Sequence, residues 1–96
     1  MNINIDDLQK SILLLLRKTK DSQGNNVVID VDYYWDIDAA NLYNPYEAPK
    51  DIGLGQLSFD IEQINKISAS GTVVPYDLKR AGGILAALGN SLLHFE

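Results

Sequence analysis

From Val27 to Asp38 apolar and polar residues alternate without a break. Val27, Ile29, Val31, Tyr33, Trp35 and Ile37 fall on one side. Val28, Asp30, Asp32, Tyr34, Asp36 and Asp38 fall on the other. A period of two predicts a long amphipathic strand, with the first set on the core and the second in solvent. The β-branched and aromatic residues favour the same element. Such a strand needs a partner for its backbone groups. The other strand candidate is short, Thr72–Val74. The sheet is therefore expected to be small, or completed by a second copy of the chain, and the pattern does not choose between these. A hairpin inside 27–38 would lack an Asn-Gly or Asp-Gly turn.

Upstream, the period changes. Ile5, Leu8, Ile12, Leu15 and Thr19 follow the spacing of one buried helical face, predicting a helix over residues 5–20. Asn4 is the expected N-cap, Asp6 and Asp7 favour the first turn, and Arg17, Lys18 and Lys20 suit the negative end. Gly24 is the expected stop. Leu14 points away from Ile12, so either a second element covers it or a homodimer does.

Downstream, Asn41–Gly55 holds Pro45, Pro49, Gly53 and Gly55, which predicts a loop longer than usual connections. A helix is expected from Gln56 to Ser68, with Leu57, Ile61 and Ile64 on one face. Pro75 then opens a last helix carrying Leu78, Ala81, Ile84 or Leu85, Leu88 and Leu92 inward. Gly82 and Gly83 weaken that helix by about 1 kcal/mol each relative to Ala, so close packing beside them is expected. The sum is one α/β (α+β) domain over residues 1–96: an N-terminal helix, a long amphipathic strand, a long loop and two C-terminal helices.

Charge sharpens this picture. The net charge is −5, yet residues 30–62 hold eight acids against Lys50 alone, while the flanks balance to within one charge. Six of the eight aromatics lie in the same stretch. Phosphate binding needs clustered Lys and Arg, so nucleic acid is not an expected partner and a basic protein is. The longest apolar run, Ile12–Leu16, is far short of the roughly 20 residues a membrane span needs, so no membrane role is expected. The acidic start MNINIDD does not resemble a secretory signal. With no cysteine, a disulfide framework is excluded and a cytoplasmic setting fits.

Catalytic chemistry has little material. The only histidine is His94, near the C-terminus. Asp30, Asp32, Asp36 and Asp38 look alike, whereas acid–base pairs need unlike environments. The DxD pairs do not form an EF-hand, since the sixth position is Trp35 or Asn41 rather than Gly. No glycine-rich phosphate loop follows a strand. No enzyme activity, cofactor or metal is therefore expected. The acidic strand face has two readings: a solvated face that discourages edge pairing, or a binding face. In the second, Asp30, Asp32, Tyr34, Asp36 and Asp38 contact the partner, with Tyr43, Tyr46, Glu47, Asp51, Asp60 and Glu62 added by the loop and the following helix. Tyr33 and Trp35 would then serve folding.

Three segments carry a resemblance: Tyr33-Tyr34-Trp35, Leu42–Tyr46 with Pro49, and Ile52–Asp60. With the final helix from Tyr76, they resemble small acidic bacterial proteins similar to immunity proteins of contact-dependent growth inhibition systems. The resemblance runs from residue 28 onward and includes no catalytic motif. It implies an inhibitor that binds a toxin domain, often a nuclease and therefore basic. A regulatory or adaptor interaction module would share the same composition.

Overall fold

A computed structural model describes residues 1–93. The elements run α1 (Ile5–Gln23), β1 (Tyr33–Ile37), α2 (Ala39–Leu42), β2 (Ile52–Gln56), α3 (Leu57–Ser70) and α4 (Tyr76–Leu93). His94 lies outside the described residues. The fold is a small α+β domain, with a helix first and two helices last.

Local chemistry sets the helix ends. Asn4 Oδ1 accepts the Asp7 N–H at 2.9 Å, and Gly24, at φ 84°, closes α1 by donating to the Lys20 carbonyl. Gly71 ends α3 in the left-handed region, φ 68°, donating to the Ile67 carbonyl. Both glycines sit where an L side chain would be strained. The start of α3 has no local cap. Its donors are met from 26 residues upstream, where Asp32 Oδ1 accepts the Ser58 N–H at 2.8 Å. The Asp32 carbonyl accepts the Leu57 N–H at 2.6 Å. The chain before β1 is thereby tied to the first turn of α3.

The sheet is an antiparallel pair, Tyr33 opposite Gln56 through Ile37 opposite Ile52. Its second strand is Ile52–Gln56, inside the expected loop, and Thr72–Val74 forms no strand. The expected long strand is cut to Tyr33–Ile37 because β2 passes into α3 at Leu57, leaving residues 27–32 without a ladder partner.

Val27, Ile29 and Ile37 are half-buried and Val28, Asp30 and Asp38 exposed, as expected, but over Tyr33–Asp36 the facing is reversed. Tyr34 and Asp36 are half-buried, while Tyr33 and Trp35 are exposed. The reason lies in β2. Opposite residues of an antiparallel pair share a face, and Tyr34 and Asp36 lie opposite Gly55 and Gly53. That face of β2 carries no side chains, so it has room for a tyrosine ring. A Cβ on Gly55 would lie 2.1 Å from Tyr34 Cζ.

α3 packs on α4, and β1 on β2; α1 packs extensively on neither layer. Among the described residues only Leu57 and Asp60 are buried. The expected buried face of α1 is not buried: Ile12 and Thr19 are half-buried and Ile5, Leu8 and Leu15 exposed. Leu78 of α4 is exposed too, whereas Ala81, Ile84, Leu85, Leu88 and Leu92 are half-buried as an inward stripe. The expected close packing beside Gly82 and Gly83 is absent, since a Cβ at either would meet nothing within 4 Å. Gly82→Ala should therefore stabilise the domain by about 0.5–1 kcal/mol in a urea melt. A destabilised Gly82→Ala variant would show that something packs against that helix face.

Candidate protein-interaction surface

The inner face of the hairpin meets α3 and α4 through charges. The Tyr34 hydroxyl donates to Asp60 Oδ2 at 2.5 Å. Arg80 Nε lies 3.9 Å from Asp60 Oδ1, an ion pair too long to be a hydrogen bond. Arg80 Nη1 donates to Asp77 Oδ1 at 2.8 Å. Its guanidinium sits 4.6 Å from the Tyr76 ring centroid and 6.0 Å from that of Phe59, within cation–π range. Lys79 Nζ donates to Asp36 Oδ1 at 2.6 Å, and the Tyr76 hydroxyl donates to Asp36 Oδ2 at 3.4 Å.

These contacts set the protonation states. Burial, then the bond to Asp60 and its charge, hold the Tyr34 phenol far above its ordinary value, so it stays a donor. The bond to Asp36 raises Lys79. The Val74 N–H, then Arg80, lower Asp77. The Gln56 side chain, then the Ser58 N–H, lower Asp32. Each shift favours the form that makes the observed bond. The arrangement fastens the hairpin to the helices.

The residues expected to bind a partner divide accordingly. Asp60 is buried, with its carboxylate taken by Tyr34 and Arg80. Tyr34 and Asp36 point inward rather than to solvent. Asp32 caps α3, and Asp38 caps α2 by accepting the Asn41 N–H at 2.9 Å. Asp30, Tyr43, Tyr46, Glu47, Asp51 and Glu62 are exposed, with Glu62 paired to Lys66 at 3.6 Å. Asp36, Asp38 and Asp51 line one open cleft with Lys50, Tyr76 and Lys79. Among the described residues no group of three His, Cys, Asp or Glu is placed to hold a metal ion.

The outer face of the hairpin holds Tyr33 and Trp35, which the alternation of β1 placed on the core. Trp35 is 71% exposed, Tyr33 65% and, directly opposite Trp35, Leu54 68%. Ile52 adds a half-exposed edge to the same face. An apolar and aromatic cluster on a solvated sheet face is a recognised mark of an interaction site. The Gly-x-Gly of β2 was the signal for it: a strand bare on one side receives the large residues of its partner on that side, and sends the alternate ones outward. Beside the hairpin, between residues 29–34 and α4, lies an open groove of about 600 Å³ with Gly83, Ala86 and Ala87 along one wall.

No helix among the described residues is long and apolar enough to cross a membrane. The geometry defines a small α+β domain with an exposed aromatic sheet face. No family model, curated protein or solved structure matches the chain.

Proposed function

We propose that this chain is a non-catalytic, immunity-type inhibitor that binds a basic toxin domain in the bacterial cytoplasm. The observation that carries the binding role is the solvent-facing cluster of Trp35, Tyr33 and Leu54. Trp and Tyr are the residues most enriched among energetic anchors of protein interfaces. The acid excess of residues 30–62 supports a basic partner, because opposite fields speed encounter. Exposed Asp30, Glu47 and Asp51, with Tyr43 and Tyr46, supply steering charge and rim contacts. Inhibition then needs no chemistry by this chain: the aromatic face docks and the complex occludes the toxin's phosphate-binding surface. The immunity assignment itself rests on the resemblance described above together with this charge.

Co-expression with the toxin domain encoded by the neighbouring gene should rescue cell growth. Trp35→Ala should weaken the complex by about 2 kcal/mol, close to thirtyfold, and act mainly through dissociation. Its thermal melt should match the parent's, because the side chain is already in water. Failure to rescue, with no complex detected by titration calorimetry, rejects the reading. Binding unchanged in Trp35→Ala and Tyr33→Ala moves the contact off the hairpin.

A further inference from the structure

We infer that the groove between residues 29–34 and α4 receives an extended, basic segment of the partner protein, laid down as an added strand. The occupant's charge rests on the basic partner proposed above. Hydrogen bonding in the hairpin shows which backbone groups are free. The Asp32 carbonyl accepts the Leu57 N–H, and the register continues from Tyr33 opposite Gln56. Bonded and non-bonded pairs alternate along an antiparallel ladder. Asp32, Tyr34 and Asp36 therefore aim their N–H and C=O across the ladder, and Tyr33 turns its own away from β2. Upstream, Ile29, Asp30 and Val31 make no backbone hydrogen bond among the described residues. Burial alternates from Val27 to Asp30, as in an extended chain. Open amide groups along an extended chain are what strand addition recognises.

The opposite wall suits the same occupant. Gly83, Ala86 and Ala87 of α4 bring no large side chain to it, which leaves room for apolar residues of an added strand. From Ile29 to Tyr33 such a strand runs about 13 Å. Tyr33 lines this groove and also belongs to the exposed aromatic face, so one partner reaches both.

Charge and backbone chemistry select the occupant. Asp30 is the one charged side chain on the groove's walls among the described residues. Opposite residues of paired strands share a face, so a Lys or Arg across from Asp30 is favoured. A second copy of this chain offers the wrong charge. Twofold antiparallel pairing about Val31 would set Asp30 against Asp32, and like charges directly opposite are unfavourable. The chain's own α1 has no backbone to offer, since its N–H and C=O groups are spent within the helix.

The probe is a short peptide of alternating Lys and Val, titrated into the isotope-labelled full chain. At concentrations up to about 1 mM it should move the amide signals of Ile29, Val31, Tyr33, Gly83 and Ala87. A peptide of alternating Glu and Val should not. No shifts, shifts confined to other residues, or equal binding of the acidic peptide would overturn the inference. Methylating the backbone nitrogens of the Val residues removes the donors of one strand edge, and methylating those of the Lys residues removes the other's. One of these two peptides should bind about tenfold more weakly or worse, and the other should match the parent. Equal binding by both rejects strand addition. Ala86→Phe should fill the groove and weaken the parent peptide about tenfold or more, with an unchanged thermal melt because residue 86 is exposed. Hydrogen exchange in the complex with the toxin domain should protect the amides of Ile29, Val31 and Tyr33. A toxin complex without that protection overturns the inference and leaves the proposed function standing. Peptide binding in the groove with no toxin complex supports the inference and rejects the proposed function.

Discussion

Asp60→Ala should cost about 3–5 kcal/mol of stability, the largest loss expected from any single exposed-to-buried acid in the chain. Asp60 is 4% exposed and holds two elements at once, the hairpin through Tyr34 and α4 through Arg80. Its removal leaves the half-buried Tyr34 phenol without its acceptor and leaves Arg80 with Asp77 as its one carboxylate partner. The attraction the pair gains is not what is lost. The loss is the unmet hydrogen bonding of the partly desolvated groups left behind. For a domain of this size the melting temperature should fall by about 12 °C or more. Asp30→Ala is the matched control: an exposed acid outside the network, expected to shift stability by no more than about 0.5 kcal/mol. If Asp60→Ala and Asp30→Ala melt together, the network does not hold the hairpin to the helices. Because Asp60→Ala loosens the hairpin's attachment to the helices, a loss of partner binding in it would say nothing about contact.

Gly55→Ala should destabilise by about 2–4 kcal/mol, while Gly53→Ala, two residues away on the same strand face, should be neutral or slightly stabilising. A Cβ at 55 would fall 2.1 Å from Tyr34 Cζ and 2.5 Å from its hydroxyl oxygen. A tyrosine ring usually gives way cheaply, but this one is pinned by its bond to Asp60. Moving it breaks that bond and strands the buried carboxylate, so overpacking and lost hydrogen bonding act together. At Gly53 the nearest atom to a Cβ is the Asp36 carbonyl oxygen at 3.6 Å, an ordinary contact. There the reduced freedom of the unfolded chain favours alanine. Urea melts of the two variants and of Tyr34→Phe/Gly55→Ala test this. Equal effects at 53 and 55 would remove the ring-over-glycine packing as the cause. In the double variant the ring no longer has a hydroxyl to lose, so the two changes should cost less together than their separate costs added.

Both results bear on what was legible beforehand. The helices were, because their information is local. Asn4, the heptad of α1, Gly24 and Pro75 act within a turn or two of where they stand. The overall class, a helix followed by strand and two helices, follows from those periods alone. So does the acidic stretch that suggests a basic partner, since charge counts need no geometry. The strand pairing was not legible. Ile52–Gln56 has one β-branched residue and two glycines, a composition that reads as loop, and it pairs with β1 where Tyr34 and Asp36 fill the space its glycines leave.

That pairing also decided the candidate site. Alternation along 27–38 shows that two faces exist, but a period of two is symmetric and does not say which face is covered. Taking hydrophobic as inward put Tyr33 and Trp35 in the core. Tertiary structure reversed this, since α3 and α4 offer Asp60, Tyr76, Lys79 and Arg80 to the hairpin rather than an apolar floor. Four of the acids expected at an interface, Asp32, Asp36, Asp38 and Asp60, instead cap helices or anchor the sheet, each through a partner at least three residues away. The sequence by itself determined the three long helices, the cap and stop of α1, and the sign of the surface. Only the tertiary structure determined which side of the hairpin meets water, because that depends on contacts between residues up to 43 positions apart.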